Sequence, residues 1–390
     1  MITEEVFYPV SPDVIEHTDS NLSTNLGSTV LIHKEGNGMP SLENAKVALI
    51  GVPEYRGSVN KDHTGCNYNE LRSKFYLLKK HRVDIKIVDL GDIRPGNTLA
   101  DTYHLITSIA QELIENSIVP IFFGGSQDLS LPIYNAFANL KQVINIVNID
   151  SRFDLGEPEQ PVDSISWIGQ IVMQKPNYLF NYSNLGYQSY FVGNEGVNMM
   201  HKLFFDAWRL GEIRNDITEI EPVIRAADMV TTDLSSIRQS DAPGTSNPSP
   251  NGFSGEEICQ SMMYSGLSDR VSAIGLFEFD QDHDRNGQTA HLTAQMIWYL
   301  IEGLSLRRNE FPGKEQSGYT RYFVTIPERK EEMVFLKNLV SGRWWIELPL
   351  EGKNHRFNRH NYLPCSLKDY QQACKNEVPE RWWQAIHKMY

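Results

Sequence analysis

Cysteine is scarce: Cys66, Cys259, Cys365 and Cys374 are the only four in 390 residues. They are too few and too scattered for a disulfide framework, which fits a reducing compartment. No apolar run approaches the ~20 residues a membrane-spanning helix needs. The opening MITEEVFYPVSPDVIEH has no basic stretch followed by an apolar one, so no secretory leader is expected. Basic residues are outnumbered, 36 against 49 acidic, giving a formal net charge of −13. That balance argues against nucleic acid or an anionic membrane as partner, since both select a basic face. No internal repeat of fixed period is present. With 41% apolar and 22% charged residues the composition is globular, and a soluble, cytoplasmic protein is expected.

The first 44 residues are polar and aperiodic and read as an N-terminal arm outside the core. From Ala45 short apolar runs alternate with helical periodicity. Strands are expected at Ala45–Pro53, Asp84–Leu90, Val119–Phe123, Val143–Ile149, Gln188–Val192, Met229–Thr232 and Val271–Phe279. Helices are expected at Asn69–Lys80, Leu99–Asn116, Leu129–Asn139, Val197–Trp208, Ser254–Gly266 and Thr289–Leu304, with Ser254 and Glu257 forming a capping box. This alternation predicts an α/β fold, a three-layer doubly wound parallel sheet spanning 45–308. Residues 309–390 form a C-terminal appendage that holds four of the seven tryptophans, with a strand at Tyr319–Ile326 and a charged helix starting over Glu328–Asn338.

In a doubly wound sheet, ligands sit beyond the carboxyl ends of the strands. Four such ends carry polar clusters: GGSQDLS (Gly124–Ser130), DSRFD (Asp150–Asp154), DLSSIRQSDAPGTSNPSP (Asp233–Pro250) and EFDQDHD (Glu278–Asp284). Converging carboxylates suit a hard or borderline divalent cation. Isolated aspartates in such places more often line a solvated rim.

The order and spacing of these clusters resemble the arginase, agmatinase and formimidoylglutamase superfamily, the ureohydrolases. Its active members carry GG-x-H, then D-A-H-x-D, then S-x-D-x-D-x-x-D-P-x-x-A-P-G, and later a Glu in an E-V-N-P-like segment. Here GGSQD, DSRFD, TTDLSSIRQSDAPG and EFDQ stand in that order, with Ala242-Pro243-Gly244 in register with Asp233. ALIGVP and VDLGDI look like the family's first two strands, NGQTAHLTAQMIWYLIEG like its last helix, and DSRFDLGEP looks closest to formimidoylglutamases. The resemblance implies the arginase-type fold and a site where two Mn²⁺, held by two His and four Asp, activate a hydroxide that attacks a guanidinium or formimidoyl carbon.

Carried over position by position, the first His is Gln127 and the second is Arg152. Asp150, Asp154 and Asp233 are retained, and the next Asp is Ser235. The D-P that follows in the family is Arg238-Gln239, and a catalysis-assisting His would fall near Trp167. Arg152 weighs most, because a guanidinium cannot deprotonate to bind a cation. The expectation is therefore no metal, with Arg152 and Arg238 forming an ion-pair cluster with Asp150, Asp154 and Asp233 in its place. Glu278 matches the family's guanidinium-binding carboxylate and is the candidate catalytic residue.

In the appendage, His355, His360, Cys365 and Cys374 are zinc-type residues without zinc-type spacing, which favours ordinary roles. Trp344, Trp345, Trp382 and Trp383 read either as residues that seal the appendage or as partner-binding anchors. Three functions follow. One is a pseudoenzyme with a binding or scaffold role through its tail. Another is an active C–N hydrolase with one metal or an unorthodox site, in which case manganese is the cofactor. The last is a metal-free enzyme using Arg152 and the carboxylates. Family resemblance also implies a homo-oligomer.

Overall fold

A computed structural model of the chain describes residues 2–19, 23–60, 67–157, 160–313, 318–326, 331–349 and 359–389. Ten strands belong to the main sheet: β1 (Phe7–Tyr8), β2 (Leu31–Ile32), β3 (Val47–Gly51), β4 (Ile87–Ile93), β5 (Val119–Phe123), β6 (Ile144–Ile149), β7 (Leu179–Tyr187), β8 (Asp206–Arg209), β9 (Met229–Asp233) and β10 (Ala273–Phe277). The helices around it are α1 (Pro12–Asp19), α2 (Asn69–Leu77), α3 (Leu99–Glu115), α4 (Ser130–Asn139), α5 (Trp167–Met173), α6 (Asn194–Lys202), α7 (Leu210–Asn215), α8 (Ile220–Arg225), α9 (Gly255–Leu267) and α10 (Gln288–Ser305). A second, antiparallel sheet contains β11 (Tyr319–Ile326), β12 (Glu331–Asn338), β13 (Trp344–Glu347) and β14 (Tyr362–Cys365), followed by α11 (Leu367–Ala373) and α12 (Glu380–Met389).

The main sheet runs β1-β4-β3-β5-β10-β9-β6-β7-β8, parallel except for β1, with β2 pairing along β4 as well. Its central strands are buried on both faces, which is why VALIG, VPIFF and AIGLF are unbroken apolar runs. Alternate side chains feed two cores. Leu49, Ile121, Phe123, Val147 and Ile274 join residues of α2, α9 and α10, while Ala48, Phe122, Ile146 and Ala273 join residues of α3, α4 and α5. The predicted α/β architecture and the Ser254–Glu257 capping box are both present. Among the described residues no helix is long and apolar enough to cross a membrane.

Four expectations need correction. The N-terminal arm is not peripheral: Phe7, Val10, Val14, Leu26 and Val30 are buried in the cores, and β1 and β2 edge the sheet. The strand expected at Gln188–Val192 is instead β7, immediately before it, and a turn follows in which the amides of Phe191 and Val192 donate to the Gln188 carbonyl. The helix expected over Val197–Trp208 is shorter, ending at Lys202, and Asp206–Arg209 pairs with β7 as β8. The segment expected to begin a helix is β12, held by ladders to both β11 and β13. For the arm and for β7 a partner distant in sequence overrides local preference, whereas β12 is held by the strands just before and after it. Glu328 itself lies outside the described residues.

Candidate functional site

Strands β5, β10, β9 and β6 are consecutive neighbours, so their carboxyl ends gather GGSQD, EFD, DLSS and DSRFD at one place. The turn after β5 needs its glycines: Gly125 has φ +73°, and a Cβ there would lie 2.8 Å from the carbonyl oxygens of Val52 and Glu54. This turn presents Gln127, whose backbone N–H donates to Glu278 Oε1 at 2.8 Å. The Gln127 side chain is inward and buried. Its Nε2 donates to Asn148 Oδ1 (3.1 Å) and Thr231 Oγ1 (3.2 Å).

Asn148 in turn donates to Asp150 Oδ2 (3.3 Å) and to the Tyr182 hydroxyl (3.1 Å). Asp150 Oδ1 accepts the Arg152 backbone N–H at 2.9 Å, and the Asp154 carboxyl lies close enough to act on it electrostatically. Asp154 accepts from the indole of Trp167 at 3.0 Å. Asp233 Oδ1 takes both the N–H and the hydroxyl of Ser235, each at 2.6 Å, closing the turn after β9. Asp150, Asp154, Ser235 and Glu278 are buried, and Asp233 is nearly so.

Crowding of carboxyls away from water raises their proton affinity. Burial, then the neighbouring Asp154, holds Asp150 well above the carboxylate range. Burial and the charge of Asp233 bring Asp154 up to about 7. Burial and Asp150 bring Asp233 to about 7, and burial and Asp233 bring Glu278 to about 8. At neutral pH these carboxyls therefore hold protons more strongly than free ones, while the buried Gln127 Oε1 among them has no hydrogen-bond partner among the described residues.

The structure brings Gln127, Asp150, Asp154, Asp233, Ser235 and Glu278 together, but the expected arginine pairing does not form. Among the described residues Arg152 makes no ion pair with the three aspartates, and its guanidinium lies over the Phe191 ring at 4.2 Å from the centroid. Arg238 pairs with Asp241 at 2.9 Å on the surface. Burying a guanidinium carries a large desolvation cost, and each arginine has a partner outside the cluster that avoids it. Sequence reasoning passed over Asp128, although it lies inside the GGSQD segment. It is fully buried, pushed up to about 6 by burial, and accepts the Tyr103 hydroxyl. Tyr103 comes from α3, so only tertiary structure reveals that pair.

Comparison with known proteins places the chain in a family. The family model "Arginase family" matches residues 45–302. The chain belongs to the arginase family. Formimidoylglutamase of Bacillus subtilis (strain 168) is 25% identical over 285 residues, covering 66% of this chain and 87% of that protein. An agmatinase of Halalkalibacterium halodurans is 23% identical, covering 67% and 93%. Among solved structures, the Bacillus subtilis formimidoylglutamase superposes with TM-score 0.64 at 20% identity, covering 74% of this chain and 94% of the other. Trypanosoma cruzi formiminoglutamase with Mn²⁺ gives 0.62 at 20%, covering 69% and 96%. This arginase-family chain is thus formimidoylglutamase-like, and its antiparallel C-terminal sheet lies beyond the matched 45–302.

That added unit has its own core, in which Trp344 and Trp382 pack with Val324, Phe335 and Ile346. Trp345 is buried beneath the Arg225 guanidinium at 4.3 Å. Three of the four candidate anchor tryptophans are therefore interior, and Trp383 alone is 38% exposed. His355 lies outside the described residues. Cys365 is buried and Cys374 exposed, and among the described residues no three His, Cys, Asp or Glu side chains are placed to hold a metal ion.

His360 is buried and stacked on Phe180 at 4.1 Å. Burial, with Arg270 beside it, holds its imidazole down to about 3. Unfolded, it would take a proton near pH 6.5, so its contribution to stability is complete above that value. It falls by about 1.4 kcal/mol per pH unit on acidification. Urea denaturation at pH 7.5 and pH 5 is expected to show this loss, and His360→Phe to remove about 2 kcal/mol of the difference between the two. An unchanged difference would contradict it.

Proposed function

We propose that this arginase-family chain has lost the binuclear manganese centre of its relatives and serves as a binding or scaffold protein rather than as an amidine hydrolase. The observation that carries this reading is the Gln127 side chain. It occupies the first imidazole position and spends its amide nitrogen on Asn148 and Thr231. The remaining donor set does not fit two manganese ions. Arg152 replaces the second imidazole with a side chain that cannot ligate a cation and that lies over Phe191, and Ser235 uses its hydroxyl on Asp233. Residues beyond 302 supply surface that the family match does not include, and the exposed Phe323, Leu339 and Val340 there suit a protein partner.

The test is elemental analysis of the full chain expressed with manganese, joined to assays for formamide or urea release from formimidoyl and guanidino substrates. The expected result is essentially no manganese, no release, and no rise in melting temperature with millimolar Mn²⁺. About two manganese per chain, or manganese-dependent release that disappears in Asp233→Asn, would establish the hydrolase reading in its place.

A further inference from the structure

Away from the strand ends, a cleft of about 570 Å³ separates the C-terminal helices from the β7–β8 edge of the main sheet. Phe180, Asn181, Phe205, Asp206, Arg381 and Lys388 are among its lining residues. Of the lysines and arginines there, Lys368 pairs with Asp216 and Glu219, and Arg381 pairs with Asp369. Among the described residues Lys388 has no carboxylate at ion-pair distance. Its Nζ donates to Asn181 Oδ1 and sits 5.9 and 5.6 Å from the centroids of the Phe180 and Phe205 rings.

The nearest acid does not neutralise it directly. Asp206 Oδ2 already accepts Asn181 Nδ2 and the Ser183 hydroxyl, both at 2.7 Å, so Asn181 stands between the two charges. Burial brings the ammonium down to about 8, which leaves it largely protonated at pH 7. An ammonium has three N–H donors, and one is used. What remains is a partly dehydrated cation with two free donors, beside apolar rings, in an accessible cleft. Its chemical complement is one carboxylate on a small apolar body. A phosphate dianion would call for a second unpaired cation, and the cleft has none among the described residues.

We propose that this cleft binds a short-chain organic monocarboxylate, with the carboxylate received by Lys388 and the apolar body lying against Phe180 and Phe205. The experiment uses the full chain, with butyrate as probe and butyramide and orthophosphate as controls, read by saturation-transfer NMR and calorimetry. Butyrate is expected to bind at pH 7 at least tenfold more tightly than either control. Lys388→Met, which keeps the aliphatic stem, is expected to weaken butyrate at least tenfold without altering the circular dichroism spectrum. Failure of the wild type to bind butyrate, equal binding of butyramide or orthophosphate, or full binding by Lys388→Met would each overturn the proposal. Should that variant not fold, the comparison of butyrate with butyramide on the wild type decides alone.

Discussion

Arg72→Met is expected to destabilise the protein by about 3–5 kcal/mol, the scale for removing one member of a buried ion-pair group. Arg72 is 2% exposed on α2 and makes a two-point contact with Asp89, Nε to Oδ2 at 2.9 Å and Nη2 to Oδ1 at 3.2 Å. Its Nη1 reaches Asp92 at 2.7 Å. Asp89 is completely buried in β4, where it also accepts the Tyr76 hydroxyl and the Gly91 N–H. Methionine fills much of the volume but strands a carboxylate away from water, and that stranded charge dominates the cost. Two comparisons follow from this cause. Arg72→Lys should recover little, since a point charge cannot match the planar fork. Asp89→Asn combined with Arg72→Met should recover a measurable part, because the fully buried Asp89 charge is then gone and only the partly exposed Asp92 is left without its arginine. Urea denaturation of the three variants checks the ordering, and a loss under about 1 kcal/mol for Arg72→Met would refute the argument.

Arg225→Met is expected to loosen the C-terminal unit selectively, by about 2–4 kcal/mol, or roughly 30- to 1000-fold in the docked-to-undocked ratio. Arg225 ends α8 and is buried. One nitrogen donates to the carbonyls of Trp344 and Cys365, both at 3.2 Å, while the guanidinium covers the Trp345 ring. Its ion pair with Glu221 at 3.0 Å holds it in place, and Arg343 shares that carboxylate at 3.2 Å. Glu221 thus keeps a partner when Arg225 is lost, which is why the expected cost is below that at Arg72. Limited proteolysis should show faster cleavage beyond residue 309 with 45–308 still protected. Unchanged cleavage rates would count against a docking role for Arg225.

Much of the fold is legible in the sequence where burial is two-sided. β5 is bounded in the structure as its apolar run suggests, and β3 and β6 lie inside theirs, because a strand covered on both faces must be apolar throughout. β7 was hidden by Asn181, Ser183 and Asn184, polar residues whose partners, such as Asp206 and the Arg152 carbonyl, come from other elements. The arm's Phe7 and Val10 lie in VFYPV, an apolar run too short and Pro-interrupted to read as core until β4 lies beside it. At the site, short side chains such as Asp150, Asp233 and Ser235 went where their strands placed them. Arg152 and Arg238 did not, because a long side chain follows its neighbours, here Phe191 and Asp241, rather than its register.

The pairing of Phe7 with Ile93 also bears on the order in which the chain is made. At ~5–20 residues per second, the arm leaves the ribosome on the order of ten seconds before β4 follows it. When β4 emerges, β1, β2 and β3 already exist to take its two sides. The outer border of the sheet is thus closed by material synthesised earlier, and β4 need never wait, half-paired, within reach of another nascent chain.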